Sequence, residues 1–320
     1  MVYHGVGFIK VLPISRMHHL AQRKKVWAMR VVVTGACGKL GRAVVSALSE
    51  RGIDVLSVDK GANRAGERRC HLVDLDDLGQ VYGALAGADA AIHLAAIPNP
   101  LGHPPEVVFR NNVFAQFNVF EAAATLGVHR VVSASSVSAL GFPFQHRWSE
   151  PHYVPINEEH PLLPQDAYGL SKATGEEIAA AYCRRGAGSA ASLRFSTILA
   201  EDSYQQFITD VRRDPRASAH LLWSYVDLRD AVQACLLALT APFDGHQPLF
   251  ITADDTTADV PTDALLARYF PNVPRHMPAA DGAITHARWS LLDGARAAEV
   301  LGYRPQHSWQ EALTEQTTGV

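Results

Sequence analysis

The chain has 320 residues, of which 48% are hydrophobic and 19% charged, and its formal net charge is −3. This composition is typical of a globular protein with a large core, and the charge predicts no nucleic-acid partner and no anionic membrane partner. No apolar run approaches the ~18 residues that a membrane-spanning helix needs.

The first 28 residues are unlike the rest of the chain. The basic stretch Arg23–Lys25 follows a weakly apolar segment instead of preceding it, which is the wrong order for a secretory signal. We interpret residues 1–28 as a flexible N-terminal extension and place the first strand directly after Met29.

Cysteine and histidine are scattered along the sequence. The four cysteines form no CxxC pair and the fifteen histidines form no HExxH spacing. We therefore expect neither a metal site nor a disulfide framework, and a reducing, cytoplasmic location.

The first predicted strand, Val31–Val33, leads into a glycine-rich turn. Glycines stand at 35, 38 and 41, and apolar residues then recur at helical spacing. A strand, turn and helix of this kind bring backbone N–H groups and a helix N-terminus against a pyrophosphate. The pattern predicts a dinucleotide-binding turn formed by Gly35, Gly38, Lys39, Leu40 and Gly41. A plain turn is the alternative interpretation.

The second predicted strand, Ile53–Val58, ends at Asp59. An acidic residue at this position can bind the adenosine ribose hydroxyls and repels a 2′-phosphate, which favours NAD over NADP. A solvated turn aspartate is the alternative, and the nearby Lys60 and Arg64 leave NADP binding open.

Strands and helices continue to alternate as far as Ser136. Further strands are predicted over Cys70–Val73, Asp89–Ala96 and His129–Ser133, with helices over Leu78–Leu85 and about 106–126. Each crossover is long enough for a right-handed βαβ unit, which predicts a parallel, doubly wound α/β sheet. Ligands bind beyond the carboxyl ends of such strands. The residues expected at that edge are the glycine turn, Asp59, Asp74, Ala95, Ala96, Ser135 and Ser136.

The helix over 106–126 carries an apolar stripe at helical spacing. Its members are Phe109, Val113, Phe117, Phe120 and Ala124. We interpret this stripe as core or subunit interface and not as part of a cofactor site.

The second half of the chain is less regular. A long loop, 141–165, is followed by a predicted helix from Tyr168 to about Arg185 and a polar, helical segment at 201–220. Strands are predicted at Ala190–Phe195, Leu221–Asp227 and Pro248–Thr252, and helices through 231–238, 263–269 and 293–301.

Tyr168 and Lys172 are spaced i and i+4, so they share one face of their helix. Lowering the pKa of a tyrosine from ~10 by ~3 units requires about 4 kcal/mol of preferential phenolate stabilisation, which a lysine ammonium and an oxidised nicotinamide can supply. The phenolate can then accept a proton from a substrate hydroxyl that Ser136 positions. An ordinary helix pair, with Ser136 as a cap, is the alternative.

Together these motifs resemble the extended short-chain dehydrogenase/reductase family, the NAD-dependent epimerase/dehydratase group. The resemblance runs from Met29 to about Gln310 and rests on Thr34–Gly41, His93–Ala96, Asn112–Val113, Tyr168–Lys172 and Tyr225–Asp230. It implies a Rossmann NAD-binding domain over 29–195. It also implies a small substrate lobe over 196–320, interleaved with the last Rossmann elements at about 221–252.

The resemblance also implies roles for single residues and an assembly of two copies. The cofactor-binding set is Gly35, Gly38, Lys39, Leu40, Gly41, Asp59 for the ribose, Asp74 and Leu75 for the adenine, Ala95, Ala96, Asn112, Tyr168 and Lys172. The catalytic set is Ser136, Tyr168 and Lys172. The homodimer is expected to form through the helices that carry Phe109–Phe120 and Tyr168–Arg185.

The sequence departs from the nucleotide-sugar members of that family. After Leu193–Arg194 it lacks their Asn and Tyr-Gly-Pro turn, and the lobe before Tyr225 is short. We therefore hypothesise an NAD-dependent dehydrogenase acting on a hydroxyl of a small sugar, polyol or sugar acid, similar to uronate dehydrogenases. The alternatives are a nucleotide-sugar 4-epimerase or dehydratase with tightly bound NAD, for which Arg288 can bind a phosphate, and a non-catalytic NAD-binding sensor.

Overall fold

The structure, a computed structural model, describes residues 29–61, 70–276 and 287–318. The predicted extension 1–28 and Arg64 lie outside the described residues. Within them, no helix is both long and apolar enough to cross a membrane. All four cysteines lie within the described residues, and no disulfide joins any two of them.

Strands and helices alternate through the first half of the fold, as predicted. The elements are β1 (Arg30–Thr34), α1 (Lys39–Glu50), β2 (Asp54–Asp59), β3 (His71–Leu72), α2 (Leu78–Leu85), β4 (Ala90–His93), α3 (Pro105–Leu126) and β5 (Arg130–Ser136). Val31, Val32 and Val33 are all fully buried. Such a continuous apolar run is typical of a central parallel strand with helices on both faces.

The second half adds two more strands to the main sheet and builds a lobe. Its elements are a 3₁₀ turn (Val137–Leu140), α4 (Ala167–Arg184), β6 (Ser189–Phe195), β7 (Thr197–Leu199), α5 (Tyr204–Arg213), a 3₁₀ helix (Pro215–Leu221), β8 (Tyr225–Asp227), α6 (Leu228–Thr240), β9 (His246–Ile251), α7 (Thr262–Tyr269), α8 (Ala295–Leu301) and α9 (Trp309–Thr318). In this half, β7 and α9 were not predicted from the sequence.

The strand predicted at Leu221–Asp227 is wrong over its first four residues. Leu222 and Trp223 have φ angles of 54° and 51°, in the left-handed region. This region is unfavourable for large side chains unless other contacts support the turn. The support is tertiary, because Trp223 is fully buried and its indole Nε1 donates to the Pro215 carbonyl oxygen at 2.9 Å.

The main sheet has seven parallel strands in the order β3-β2-β1-β4-β5-β6-β9. The prediction of a parallel, doubly wound α/β sheet is confirmed. The direction of winding reverses between β1 and β4, which is where a crevice opens beyond the carboxyl ends of the strands. A separate pair, β7 and β8, forms a small parallel sheet in the lobe.

The long loop 141–165 packs into the lobe. Val154 and Ile156 are fully buried in one apolar cluster with Trp223, Leu265 and Trp289. The main chain of the loop also bridges to residues 275 and 292. The loop therefore joins the two halves of the molecule, and the division at residue 195 stays a prediction.

Gly41 offers a test of how tightly α1 packs on the glycine turn. A Cβ at Gly41 would lie 2.9 Å from the Ala36 Cα and closer still to the Gly35 carbonyl oxygen, whereas a Cβ at Gly83 in α2 would meet no atom within 4 Å. We expect Gly41→Ala to lower the free energy of unfolding by about 1–3 kcal/mol, since the turn must shift. The control Gly83→Ala should raise it by about 0.5–1 kcal/mol through helix propensity alone. Denaturant titrations measure both, and equal effects would contradict the packing argument.

Candidate active site

The glycine turn after β1 is shaped by close backbone contacts. Gly35 has a φ of +68°, and a Cβ there would lie 2.6 Å from the Ala95 amide nitrogen at the end of β4. A Cβ at Gly38 would meet only the Gly35 carbonyl oxygen, at 3.2 Å, and nothing else within 4 Å. A side chain at Gly38 would therefore fill the crevice, which the glycine leaves open for a ligand.

The N-terminus of α1 faces this crevice without a protein cap. Gly38 is the N-cap residue, no side chain from the described part of the chain caps the helix, and the first turn, Lys39–Gly41, holds no acidic residue. The free N–H groups and the positive end of the helix dipole are suited to a phosphate. The turn thus fits the pyrophosphate of a dinucleotide.

One cavity, of about 390 Å³, lies on the β2 side of the turn. Its lining includes Gly35, Gly38, Asp59, Lys60, Asp74, Leu75, Ala95, Ala96 and Asn111. The Asp59 carboxylate accepts hydrogen bonds from the Cys37 N–H at 2.9 Å and the Gly61 N–H at 3.0 Å, which fix its position at the strand end. Lys60 Nζ donates to Asn111 Oδ1 at 3.1 Å. Asp59 therefore presents the negative charge expected at a ribose site.

A second cavity, of about 480 Å³, continues from the first past the glycine turn. Both are lined by Gly35, Gly38, Leu94, Ala96 and Pro98, so they form one cleft. The second cavity also contains Lys39, Leu40, Gly41, Ser136, Tyr168 and Lys172. The fold therefore brings the predicted catalytic set and the predicted glycine turn into one cleft.

Tyr168 is positioned by the start of α4. The Asp166 side chain caps this helix, accepting from the N–H groups of Tyr168 and Gly169, each at 2.9 Å. Lys172 lies one turn later, with Nζ 5.5 Å from the centre of the Tyr168 ring and donating to the Ala134 carbonyl oxygen at 2.7 Å. Ser136, the last residue of β5, lies beside the Tyr168 hydroxyl, close enough to influence its pKa.

Burial shifts the two titratable groups in opposite directions. It raises the pKa of Tyr168 to about 12, with the charge of Asp166 acting in the same sense and the Ser136 side chain opposing it. It lowers the pKa of Lys172 to about 8, against the charge of Glu176. The protein's own groups therefore do not lower the tyrosine pKa, because desolvation of the phenolate outweighs them.

The model of the NAD dependent epimerase/dehydratase family matches residues 31–251. The chain belongs to this family. The predicted family, the NAD-dependent enzyme class and the NAD cofactor are thereby confirmed.

The proteins that are similar to this chain are named for different activities. It is 29% identical over 206 residues to a putative UDP-glucose 4-epimerase of Methanocaldococcus jannaschii, an alignment that spans 62% of each chain. It is 26% identical over 231 residues to a uronate dehydrogenase of Pseudomonas syringae pv. tomato, spanning 71% of this chain and 76% of the relative. A short-chain dehydrogenase/reductase superfamily protein from Agrobacterium tumefaciens, solved with bound NAD, superposes with a TM-score of 0.68 at 25% identity, over 90% of this chain and 96% of that one.

A buried ion pair behind the catalytic set was not predicted from the sequence. Arg194 Nε and Nη2 donate to the Glu176 carboxylate at 2.9 and 2.7 Å, and Ser135 Oγ donates to the same carboxylate at 2.6 Å. These contacts tie β6 and β5 to α4, four residues beyond Lys172. The spacing of Glu176 one turn after Lys172 was the available signal, because it places the carboxylate on the same helix face.

Asn112, predicted to bind the cofactor, does not line either part of the cleft. It is buried, and its amide group pairs with the Ile97 main chain at 2.8 and 3.1 Å and with Ser171 Oγ at 3.1 Å. These bonds connect the loop after β4 to α3 and α4. Asn112 thereby positions the cleft wall, and its predicted contact with the cofactor stays a prediction.

His93 is a second titratable group held neutral by burial. Its Nδ1 lies 2.8 Å from Thr34 Oγ1, and burial, with the charge of Lys172, lowers its pKa to about 3. The unfolded chain, with a histidine pKa near ~6.5, binds more protons below that pH, so stability is lost as pH falls from ~6.5 towards 3.

We expect this one group to lower the free energy of unfolding by about 2 kcal/mol between pH 7 and pH 5. Denaturant titrations at both pH values should show that loss in the native chain and a correspondingly smaller loss in His93→Gln. The exposed His71 supplies the control His71→Gln, which should keep the native pH dependence. An unchanged loss in His93→Gln would contradict the assignment.

Proposed function

We propose that this protein is an NAD-dependent dehydrogenase that oxidises a hydroxyl-bearing carbon of a small sugar or polyol, with Tyr168 as the base. The observation that carries the proposal is the meeting of Ser136, Tyr168 and Lys172 in the same cleft as the uncapped glycine turn. NAD, when bound, supplies the hydride acceptor.

Tyr168 can act as a base only if positive charge stabilises its phenolate. Bringing the pKa from about 12 to near 7 requires roughly 7 kcal/mol of preferential phenolate stabilisation. The Lys172 ammonium lies 5.5 Å from the ring and is largely protonated at pH 7, since its pKa is about 8. Together with the charge of the oxidised nicotinamide in a buried site, it is the source we assign to this stabilisation.

Ser136 positions the oxygen from which Tyr168 takes the proton. Its Oγ donates to Ser138 Oγ at 3.1 Å and accepts from the Ser138 N–H at 3.1 Å, so the hydroxyl is fixed beside the tyrosine. For the cofactor, we assign the pyrophosphate to Gly35, Gly38, Lys39, Leu40 and Gly41. We assign the adenosine to Asp59, Asp74 and Leu75, and the path to the nicotinamide ribose to Ala95, Ala96 and Lys172.

A nucleotide-sugar 4-epimerase with tightly bound NAD is the second candidate, and the M. jannaschii relative favours it. Arg288, the residue expected to bind a phosphate, lies instead in a separate cavity of about 520 Å³ with Asp254 and Asp255. Its guanidinium lies 5.8 Å from the Trp309 ring centre, and this cavity shares no lining residue with the cleft. This separation favours a free substrate.

Replacing the proposed base tests the function directly. We expect Tyr168→Phe to lower kcat for NADH formation by at least ~100-fold, because a phenyl ring cannot accept the proton. Tyr82→Phe is the matched control, since Tyr82 donates to Thr125 Oγ1 away from the cleft.

Initial-rate assays with free aldoses, polyols and uronates measure the formation of NADH by its ultraviolet absorbance. Conversion of UDP-sugars without NADH accumulation, and no turnover of any free substrate, would replace the first candidate by the second. Unchanged activity in Tyr168→Phe would exclude Tyr168 as the base, whereas NAD binding without turnover of any substrate would favour the non-catalytic sensor.

We also propose that the protein is a cytoplasmic homodimer. The four cysteines, all in the described part of the chain, form no disulfide with one another, which supports a reducing compartment. Phe114 and Phe117 on α3 are 53% and 47% exposed, and Leu170 on the adjacent α4 is 46% exposed. Large apolar side chains on two packed helices are typical of a subunit interface.

Charges on α3 test the dimer. We expect the double variant Phe114→Glu, Phe117→Glu to have the mass of one 34.8 kDa chain by light scattering, against twice that mass for the native protein. The lobe variant Val260→Glu, at a residue 43% exposed, should remain dimeric. A native protein with the mass of one chain would overturn this proposal.

A further inference from the structure

The wall of the cleft that faces Tyr168 is apolar. It is formed by Val137, Pro143, Phe144, Ile198 and Leu221, from the 3₁₀ turn after β5, the long loop, β7 and the second 3₁₀ helix. The Phe144 ring stands edge-on to the Tyr168 ring, with centres 6.1 Å apart. A substrate whose hydroxyl reaches Tyr168 must therefore place other atoms against hydrocarbon.

The polar groups on the same lining are hydroxyls. Ser138 and Thr197 flank the apolar side chains, and Ser196 Oγ donates to the Ile251 carbonyl oxygen at 3.2 Å. Hydroxyls both donate and accept, so they suit neutral partners such as sugar hydroxyls. They carry no charge that would balance an anion.

The cations that line this part of the cleft, among the residues that the structure describes, are Lys39 and Lys172. Lys172 is buried and bonded to the Ala134 carbonyl oxygen beside the tyrosine. Lys39 belongs to the first turn of α1, with Nζ 3.6 Å from the Asp202 carboxylate. Lys172 therefore lies beside the base, Tyr168, and Lys39 lies at the phosphate end of the cleft.

Arg194, the second-last residue of β6, is not available either. Its side chain is buried, at 3% exposed, and its Nε and Nη2 groups both donate to the Glu176 carboxylate. Within the described ranges, a carboxylate or phosphate on the substrate would thus lose its hydration against apolar side chains and find no cationic partner, which is unfavourable.

We propose that the substrate is an uncharged secondary alcohol with an apolar face, such as a deoxy sugar, and neither a uronate nor a sugar phosphate. This inference rests on the proposed function and narrows its substrate class. The reaction is R₂CHOH + NAD⁺ → R₂C=O + NADH + H⁺, in which the carbinol carbon loses a hydride to the nicotinamide and the hydroxyl proton leaves through Tyr168. The charged substrate named for the P. syringae relative is not carried over to this chain.

A matched series isolates the charge. D-Fucose, D-galactose and D-galacturonate share their ring stereochemistry and differ at carbon 6, which carries a methyl, a hydroxymethyl or a carboxylate group. With the native protein and saturating NAD, we expect kcat/KM for D-fucose to exceed that for D-galacturonate by at least ~100-fold, as for an unpaired charge in an apolar site. A preference for D-galacturonate over D-fucose would overturn the inference and leave the proposed dehydrogenase function intact.

A binding measurement tests the effect of charge without depending on the ring stereochemistry of the sugar series. Cyclohexylmethanol and cyclohexanecarboxylate have the same ring and differ in charge. The thermal unfolding temperature of the NAD-saturated protein should rise more with the alcohol than with the carboxylate at equal concentration. The reason is that the ligand that binds more tightly to the folded protein stabilises it more. A larger shift with the carboxylate would overturn the inference whatever the turnover.

Leu221 allows the missing charge to be supplied. It is half-buried at the end of the second 3₁₀ helix and lines the apolar wall. Leu221→Arg should move the ratio of kcat/KM values, D-galacturonate over D-fucose, upwards by at least ~10-fold, while the neutral control Leu221→Gln should not. Equal ratios in the two variants would show that charge at this wall does not decide the substrate.

Discussion

The ion pair between Glu176 and Arg194 is the interaction on which the geometry of the site depends. It is buried, bidentate and shared with the Ser135 hydroxyl, so it joins α4, β6 and β5 at one point. Removing one partner of such a pair typically costs roughly 3–5 kcal/mol, because the other charge is left buried and unpaired. Arg194 Nη1 also lies 3.4 Å from the Glu158 carbonyl oxygen, which extends the connection to the long loop.

Glu158 also joins the Rossmann sheet to the substrate lobe. The Glu158 side chain accepts from the Phe250 N–H of β9 at 2.8 Å, while its neighbours Val154 and Ile156 pack in the lobe core. The loop that carries Glu158 therefore holds the lobe against the carboxyl edge of the sheet. As a consequence, Phe144 from this loop stands beside Tyr168 at the end of the cleft.

Burial at this edge of the sheet keeps the site short of charge. It raises the pKa of Tyr168 and lowers the pKa values of Lys172 and His93, so burial disfavours the charged form of each group, and of the three only Lys172 remains largely charged at pH 7. In such a poorly solvated site, a single positive charge from a cofactor has a large effect on a neighbouring phenolate. The same property disfavours an unpaired anionic group on the substrate.

The sequence by itself determined the sheet, the glycine turn, Asp59 and the Tyr168–Lys172 pair. These features have short periods or fixed spacings along the chain, and the carboxyl ends of parallel strands must meet at one edge. The order of the elements as far as β5 was predicted correctly for this reason. The family resemblance then supplied the NAD cofactor, which the comparisons confirm.

Only the tertiary structure decided the turn at Leu222–Trp223, the contacts of Asn112, the pairing of Glu176 with Arg194, and the apolar wall of the cleft. Trp223 is held by the lobe core, and Asn112 by Ile97 and Ser171 from other elements. The wall joins residues from 137 to 221 that no local pattern relates. Such contacts depend on which distant side chains the packed lobe brings together, and burial there, which sets both the pKa values and the preferred substrate charge, has no signature in a short stretch of sequence.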